Sequence, residues 1–355
     1  MRPFTYDALP ARVVFGSGTL AQLPAELARL GCRRALVLST PGPRGTAEAA
    51  STLLGAASAG MFAGAAMHTP MAVTAAAMEE VERLGADCVV SVGGGSAIGL
   101  GKAIALRTDL PQIAVPTTYA GSEATPILGE TGGGEKVTQR SLRVLPEVIL
   151  YDVELTLTLP PGLTVTSGLN AIAHAVEALY AADATPVASM LAEQAIGLLG
   201  PALTAIVRDP FDKAARSNAL YGAWACGTCL GLVGMSLHHK LCHVLGGLGL
   251  PHAPTHAVML PYAVAYNAAA APDAMRQVAR ALGTSNAANG LFALAHSLGA
   301  PLSLATLGMH SDDIGHAADL AVANPYPNPA PITREGIRNL LDAAFHGRGP
   351  VQQQH

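Results

Sequence analysis

The strongest constraint on the fold of this chain is a change of rhythm at Pro160 and Pro161. Before it, short β-rich apolar runs alternate with segments of helical period. Residues 11–15, 34–38, 87–92, 112–115 and 147–151 read as strands. Residues 20–30, 47–57, 72–84 and 97–106 read as helices, and a hairpin-like stretch precedes the last strand. Parallel strands need a crossover to return, so this alternation implies a parallel sheet covered by helices on both faces. After it, apolar residues recur at helical spacing over 165–180, 186–207, 213–246, 262–269, 274–282, 288–298, 311–321 and 333–345. The second half therefore reads as all-helical, with a Pro/Asn-rich loop at 325–331 and a frayed tail from 347. The expected boundaries are 1–159 for the α/β domain and 160–355 for the helical one, in line with the two cores that 355 residues suggest.

Composition narrows the function classes. Half of the residues are hydrophobic and 13% charged, which fits a well-buried enzyme and not a disordered chain. A net charge of −4 and 4% aromatics, with no basic stripe, give no reason to expect nucleic acid as a partner. Residues 1–4 lead into turn-like sequence without an apolar stretch, so no signal peptide is expected. The uncharged run 220–237 reads as a tightly packed core helix, full of small residues, and no membrane association is expected. Five cysteines in apolar segments suit buried thiols in a reducing cytoplasm. Cys226 and Cys229 have C-x-x-C spacing, but inside a long apolar helix, where redox or zinc chemistry is not expected.

Gly93, Gly94, Gly95 and Ser96 lie between a strand and a helix. Glycines there let the backbone approach a pyrophosphate, and the helix N-terminus offers unpaired N–H groups and a positive dipole end. A tight turn without ligand explains the same residues. The run is neither G-x-G-x-x-G nor a Walker loop, since Lys102 is too far on. A second loop, Pro116 to Glu123, follows the next strand with hydroxyls at Thr117, Thr118 and Ser122 suited to ribose and phosphate oxygens. Two loops at the carboxyl ends of adjacent strands form one ligand crevice. After the second strand stand Ser39 and Thr40, with no carboxylate to repel a 2′-phosphate, so NADH and NADPH are both expected cofactors.

The helical half carries clustered histidines. Asn170 and His174 share a helix face, as do His239 and His243, and His252 is expected in a loop after Pro251. Two helices and a loop bring such groups together. A divalent metal accepts three imidazoles and a carboxylate, whereas Asn170 supplies a neutral amide oxygen, so weak metal binding or none is expected. Glu177, one turn after His174, reads as a surface group or as one supporting the site from behind.

These pieces together resemble the iron-containing (group III) alcohol dehydrogenase superfamily over nearly the whole chain. The matching residues are Gly93 to Ser96 with Lys102, Pro116 to Thr118 with Gly121 to Glu123, Tyr151 and Asp152, the helix with Gly168, Asn170, His174 and Glu177, and His239, His243, Pro251 and His252. The resemblance implies a dinucleotide-binding α/β domain followed by a helical domain, the architecture shared with dehydroquinate synthase, and an active site in the cleft between them. It also implies a homodimer. The family's metal set, an Asp and three His, falls on Asn170, His174, His239 and His252, and its phosphate loop usually has an Asp where this chain has Gly99. Both departures resemble the maleylacetate reductase branch, which implies NADH- or NADPH-dependent reduction of maleylacetate to 3-oxoadipate in aromatic degradation, without a metal.

The chemistry agrees with that expectation. A conjugated ketone accepts hydride at the alkene carbon, imidazole N–H groups stabilise the enolate, and one of them protonates the neighbouring carbon. His243 is the expected proton donor, with His174, His239, His252 and Asn170 orienting the substrate. A dicarboxylate substrate favours cations nearby, and Lys136, Arg140, Arg143 and Lys240 are candidates, Lys136 alternatively for the nicotinamide ribose. The competing readings are a metal-dependent alcohol dehydrogenase with Asn170 as ligand, a dehydroquinate synthase-like lyase, which keeps an acidic zinc ligand, and a non-catalytic nucleotide sensor, which needs no histidines.

Overall fold

The computed structural model describes residues 4–42, 44–133 and 135–350, with the side chains of Glu135 and Lys136 excepted. The chain divides into two compact units, Ala8–Leu159 and Pro160–His355 with Met1–Asp7. Residues 4–7 thus group with the helical unit, whereas a boundary at 159 alone assigns them to the α/β unit.

In the α/β unit, β1 (Arg12–Gly16), α1 (Leu23–Arg29), β2 (Ala35–Leu38), α2 (Gly45–Leu54), β3 (Ser58–Phe62), α3 (Met71–Leu84), β4 (Cys88–Gly93), α4 (Gly95–Thr108) and β5 (Gln112–Pro116) come first. The hairpin β6 (Ile127–Gly132) and β7 (Glu135–Arg140) precedes β8 (Val148–Asp152). Six strands pair in parallel in the order β1-β8-β5-β4-β2-β3. Side chains alternate along each strand, and this sorts the core into two layers. Val37, Val90, Val92, Val115 and Leu150 pack with Leu23 and Leu27 of α1 and Ala47 and Ala50 of α2. Leu36, Leu38 and Val89 face the other way, onto Val81 of α3 and Leu100 and Ile104 of α4. β3 was not expected, the helix being read through residue 57. Its five residues include Gly60 and Ala59 and are only half-buried at the sheet edge, so they carry little alternation to read.

The helical unit contains α5 (Pro161–Tyr180), α6 (Pro186–Arg208), α7 (Lys213–Leu232), α8 (Leu237–Gly247), α9 (His252–Asn267), α10 (Pro272–Leu282), α11 (Ala287–Ser297), α12 (Asp313–Ala323) and α13 (Arg334–His346). Helix α5 is buried on all sides from Thr164 to Leu179. Helix α6 is long and apolar enough to cross a membrane by composition, but Ala192, Ile196, Leu199 and Leu203 are buried within this unit. Cys226 and Cys229 are both buried in α7, and burial raises both thiols.

Two expectations are corrected here. Residues 213–246 do not form one helix: the axis bends by 95° between α7 and α8. The Asp183 carboxylate accepts the Gly234 N–H at 3.0 Å and Glu177 accepts the Ser236 N–H, so polar partners outside the helix take over amides that an unbroken helix would have paired itself. His252 is not in a loop but opens α9, with Pro251 as its N-cap residue. That helix begins ten residues before the apolar spacing at 262–269 and runs through Pro261; from Thr255 to Asn267 it is buried on all sides and shows no amphipathic stripe to mark its start.

Candidate active site

The α/β unit gathers the expected nucleotide-binding residues, Lys136 of β7 excepted, at the carboxyl ends of three adjacent strands. Gly93 ends β4, Gly94 caps α4 without a side chain, and Gly95 and Ser96 form the first turn of that helix. The Thr117 N–H donates to the Gly93 carbonyl at 3.0 Å, which joins the loops after β4 and β5 into one edge. A Cβ at Gly94 would lie 2.9 Å from Thr118 Cγ2, so the two loops nest only because residue 94 has no side chain. The Ser122 hydroxyl is buried with no hydrogen-bond partner, 3.8 Å from where a Cβ on Gly95 would sit. Ser39 and Thr40 follow β2, where the Ser39 backbone bridges the ends of β2 and β3 through Phe62 and Ala65. Lys102 is fully buried, and its ammonium donates to the carbonyls of Ser122, Thr125 and Ile127 at 2.6–2.9 Å. It therefore braces the second loop and does not reach for a phosphate. The departure at Gly99 has a steric reason: a Cβ there would lie 2.4 Å from Thr69 Oγ1, which takes the room an Asp would need.

In the helical unit, Asn170, His174 and Glu177 lie one turn apart along α5, all buried. Helix α8 supplies His238 and His239, both buried, and His243, which is exposed one turn on. Helix α9 supplies His252, half-buried, and His256, buried. The rings converge. Centroids are 5.0 Å apart for His174 and His239, 5.1 Å for His239 and His256, 4.9 Å for His238 and His256, and 4.2 Å for His252 and His256. Nitrogens of His238, His239 and His256 all lie within 4.8 Å of one another.

Glu177 organises this group. Its carboxylate pairs with His239 Nδ1 at 2.6 Å and accepts the N–H groups of Ser236 at 3.0 Å and His238 at 2.8 Å. Burial pushes this carboxyl up, while those donors and the start of α8 favour its charged form. With the proton on Nδ1, His239 presents a bare Nε2, which is buried without a partner. His238 Nε2 donates to the His256 carbonyl at 3.0 Å. Asn170 Oδ1, His174 Nδ1 and both ring nitrogens of His256 are likewise buried and unpartnered. So many orphaned polar atoms around one cluster mark a ligand or metal site, because a packed core would have paired them.

Those atoms suit a borderline divalent cation, being imidazole nitrogens with an amide oxygen. The sequence reading found no anion for such an ion. The structure corrects this in part: Glu177 touches His239 on its far side and supplies a negative charge one imidazole away.

Sequence reasoning missed His256, gave the neighbouring His238 no role in the site, and left the place of Glu177 open. The spacing of His252 and His256, four apart, was a usable signal once both are helical. Of the cation candidates, Arg143 pairs with Asp109 and Lys240 lies 5.8 Å from the centre of the Tyr326 ring, while the Lys136 side chain lies outside the described residues.

Burial holds His174, His239 and His256 well below the ordinary imidazole value of 6.5 and His238 down to about 4. The unfolded chain therefore binds more protons than the folded one below pH 6.5, so stability falls as pH falls. Glu177 and Glu123, whose pKa values are raised, act in the opposite sense but are outnumbered. The melting temperature of the chelator-treated protein is expected to drop between pH 7 and pH 5. A flat or rising profile in thermal melts would show that these imidazoles are not buried as neutral groups.

The sequence matches two family models, "Iron-containing alcohol dehydrogenase" over residues 10–153 and "Fe-containing alcohol dehydrogenase family, C-terminal" over residues 164–345. The chain belongs to the iron-containing alcohol dehydrogenase family. It is an oxidoreductase. Among its relatives in that family, a maleylacetate reductase from Rhizobium sp. (strain MTP-10005) is 57% identical over 351 residues, 99% of this chain and 100% of the relative. The crystal structure of a maleylacetate reductase from Agrobacterium tumefaciens superposes with a TM-score of 0.96 at 57% identity, covering 99% of this chain and 100% of that one. An iron-containing alcohol dehydrogenase from Corynebacterium glutamicum does so with a TM-score of 0.94 at 41% identity, covering 98% of each.

Proposed function

We propose that this chain reduces the conjugated C=C bond of maleylacetate to give 3-oxoadipate, with NADH or NADPH as hydride donor and without a requirement for a metal. The observation that carries this reading is the donor set itself: neutral imidazoles around Asn170, where the resemblance implies an Asp, with Glu177, the one carboxylate bonded to these imidazoles among the described residues, committed to His239 and the α8 amides. Full-length identity to relatives named maleylacetate reductase supports it.

A reduced nicotinamide dinucleotide, held by the loops after β4 and β5, would supply hydride to the alkene carbon β to the ketone. The C=C electron pair shifts so that charge collects on the ketone oxygen. A proton then bonds to the α-carbon, which restores the carbonyl. In this reading His243 gives that proton and, being exposed, regains one from solvent. His174, His252, His256 and Asn170 orient the substrate and donate to the developing oxyanion, and His239, its Nδ1 held by Glu177, orients the substrate with them. Gly93 to Ser96, Thr117, Thr118, Ser122, Ser39, Thr40 and Lys136 are assigned to the dinucleotide. We place the enzyme in the cytoplasm as a homodimer; five cysteines without a disulfide suit that compartment.

If a divalent cation is held, Asn170, His174, His239 and His252 are the side chains that would hold it, and it would supply Lewis-acid polarisation of a carbonyl oxygen. The unpartnered donors favour this second reading, a metal-dependent alcohol dehydrogenase, enough to test it. The test is NADH oxidation with maleylacetate before and after EDTA treatment, with 3-oxoadipate measured as product. Turnover that survives chelation is expected. Activity lost to EDTA and restored by zinc or iron would overturn metal independence. Oxidation of simple alcohols with no response to maleylacetate would overturn the substrate.

A further inference from the structure

The Pro/Asn-rich segment 325–331 reaches the first turn of α8 through Asn328. Helix α8 begins after the sharp break from α7, and its N-cap residue, Ser236, makes no side-chain cap. Its first amides are taken instead by side chains far away in sequence. Glu177 accepts from Ser236 and His238, and Asn328 Oδ1 accepts from Leu237 at 3.4 Å, between them. Asn328 is itself held from the other side. Its Nδ2 donates to Asn267 Oδ1 at 2.7 Å and to the Ala330 carbonyl at 2.8 Å, and its Oδ1 accepts from Asn267 Nδ2 at 3.0 Å. Asn267 is fully buried and is the last residue of α9. A reciprocal amide pair thus ties the start of the helix bearing His238 and His239 to the end of the helix bearing His252 and His256.

We propose that Asn328 is a positioning residue for the reaction: with Asn267 it sets the place of the first turn of α8 and so the aim of His239. The inference rests on the histidine cluster being the reacting site. Two side chains share the three amides, so loss of Asn328 leaves Leu237 unpaired and lets the turn pivot on Glu177 alone. A shift of about 1 Å at a reacting group is enough to cost a large factor in rate.

The same segment has a second tether that avoids α8, because the Tyr266 hydroxyl donates to the Pro331 carbonyl at 2.7 Å. Tyr266→Phe is therefore the control for loosening of the loop itself. The experiment measures kcat and KM for NADH with maleylacetate, melting temperature, and amide hydrogen exchange over residues 236–240, in wild type, Asn328→Ala and Tyr266→Phe. For Asn328→Ala, kcat falls about tenfold or more with KM for NADH unchanged, and exchange at Leu237 and His238 speeds up. For Tyr266→Phe, kcat stays within about twofold of wild type even where its melting temperature falls as far. Loss of kcat in both variants in proportion to melting temperature overturns the proposal, as does unaltered exchange at Leu237 in Asn328→Ala. If wild type itself fails to turn over maleylacetate, the proposed function falls, and exchange at Leu237 still decides whether Asn328 holds the turn.

Discussion

Glu177→Gln is expected to lower kcat with maleylacetate by about a hundredfold while leaving KM for NADH unchanged. The carboxylate is fully buried and meets three donors, from His239, Ser236 and His238. An amide of the same size cannot accept from all three, because its NH2 end is itself a donor. If that end takes the place of Oε1, it faces the His238 N–H and α8 loses part of its cap. If it takes the place of Oε2, it faces the Ser236 N–H and His239 together, so the ring must present a lone pair at Nδ1 and the proton moves to Nε2, inverting what His239 offers. Either outcome disturbs the ring without touching the substrate. Steady-state kinetics beside a thermal melt separates the effects: a folded variant with kcat within threefold of wild type would remove Glu177 from the working site. Glu177→Asp keeps the charge and shortens the reach, so it should retain more activity than Gln if charge and tautomer matter more than length.

Gly94→Val is expected to raise KM for NADH by about a hundredfold or more, roughly 2.7 kcal/mol of lost binding. The residue has ordinary extended backbone, φ −88° and ψ −162°, so its conformation does not require glycine. Its surroundings do, since a Cβ there would meet Thr118 Cγ2 at 2.9 Å and Oγ1 at 3.1 Å. Side-chain bulk at 94 pushes the β4 and β5 loops apart and covers the amides at the start of α4 that a pyrophosphate would use. Pairing Gly94→Ala with Thr118→Ser tests which of these dominates. Removing the Thr118 methyl relieves the closer of the two contacts but returns no space to a phosphate, so KM for NADH should stay high in the double variant. Recovery to the wild-type value would mean that the glycine serves loop packing alone.

How much of this was legible beforehand depended on what kind of information each element needs. Strands β2, β4, β5 and β8 announce themselves as runs of Val, Leu and Ile, because a strand buried on both faces requires them along its length. The glycines at 93–95 mark a turn into a helix for a local reason, and the four-residue spacing of Asn170 and His174 marks one helix face. Strand β3, at the edge and half-buried, carries no such pattern. The bend between α7 and α8 is equally silent, since residues 213–246 keep their apolar spacing across it.

The sequence by itself determined the α/β and helical halves, the loops at the strand ends, and the residue types able to hold a nucleotide and polarise an oxygen. Periodicity suffices for this, because it records which face of an element is buried. Tertiary structure alone decided who meets whom: Glu177 with His239 across 62 residues, Asn328 with Asn267 across 61, and His256 inside a cluster that the spacing of α5 and α8 left incomplete. Periodicity says nothing of the partner on the other side. The partner is set by where three helices and a loop converge, and the charge and tautomer of each histidine follow from that convergence.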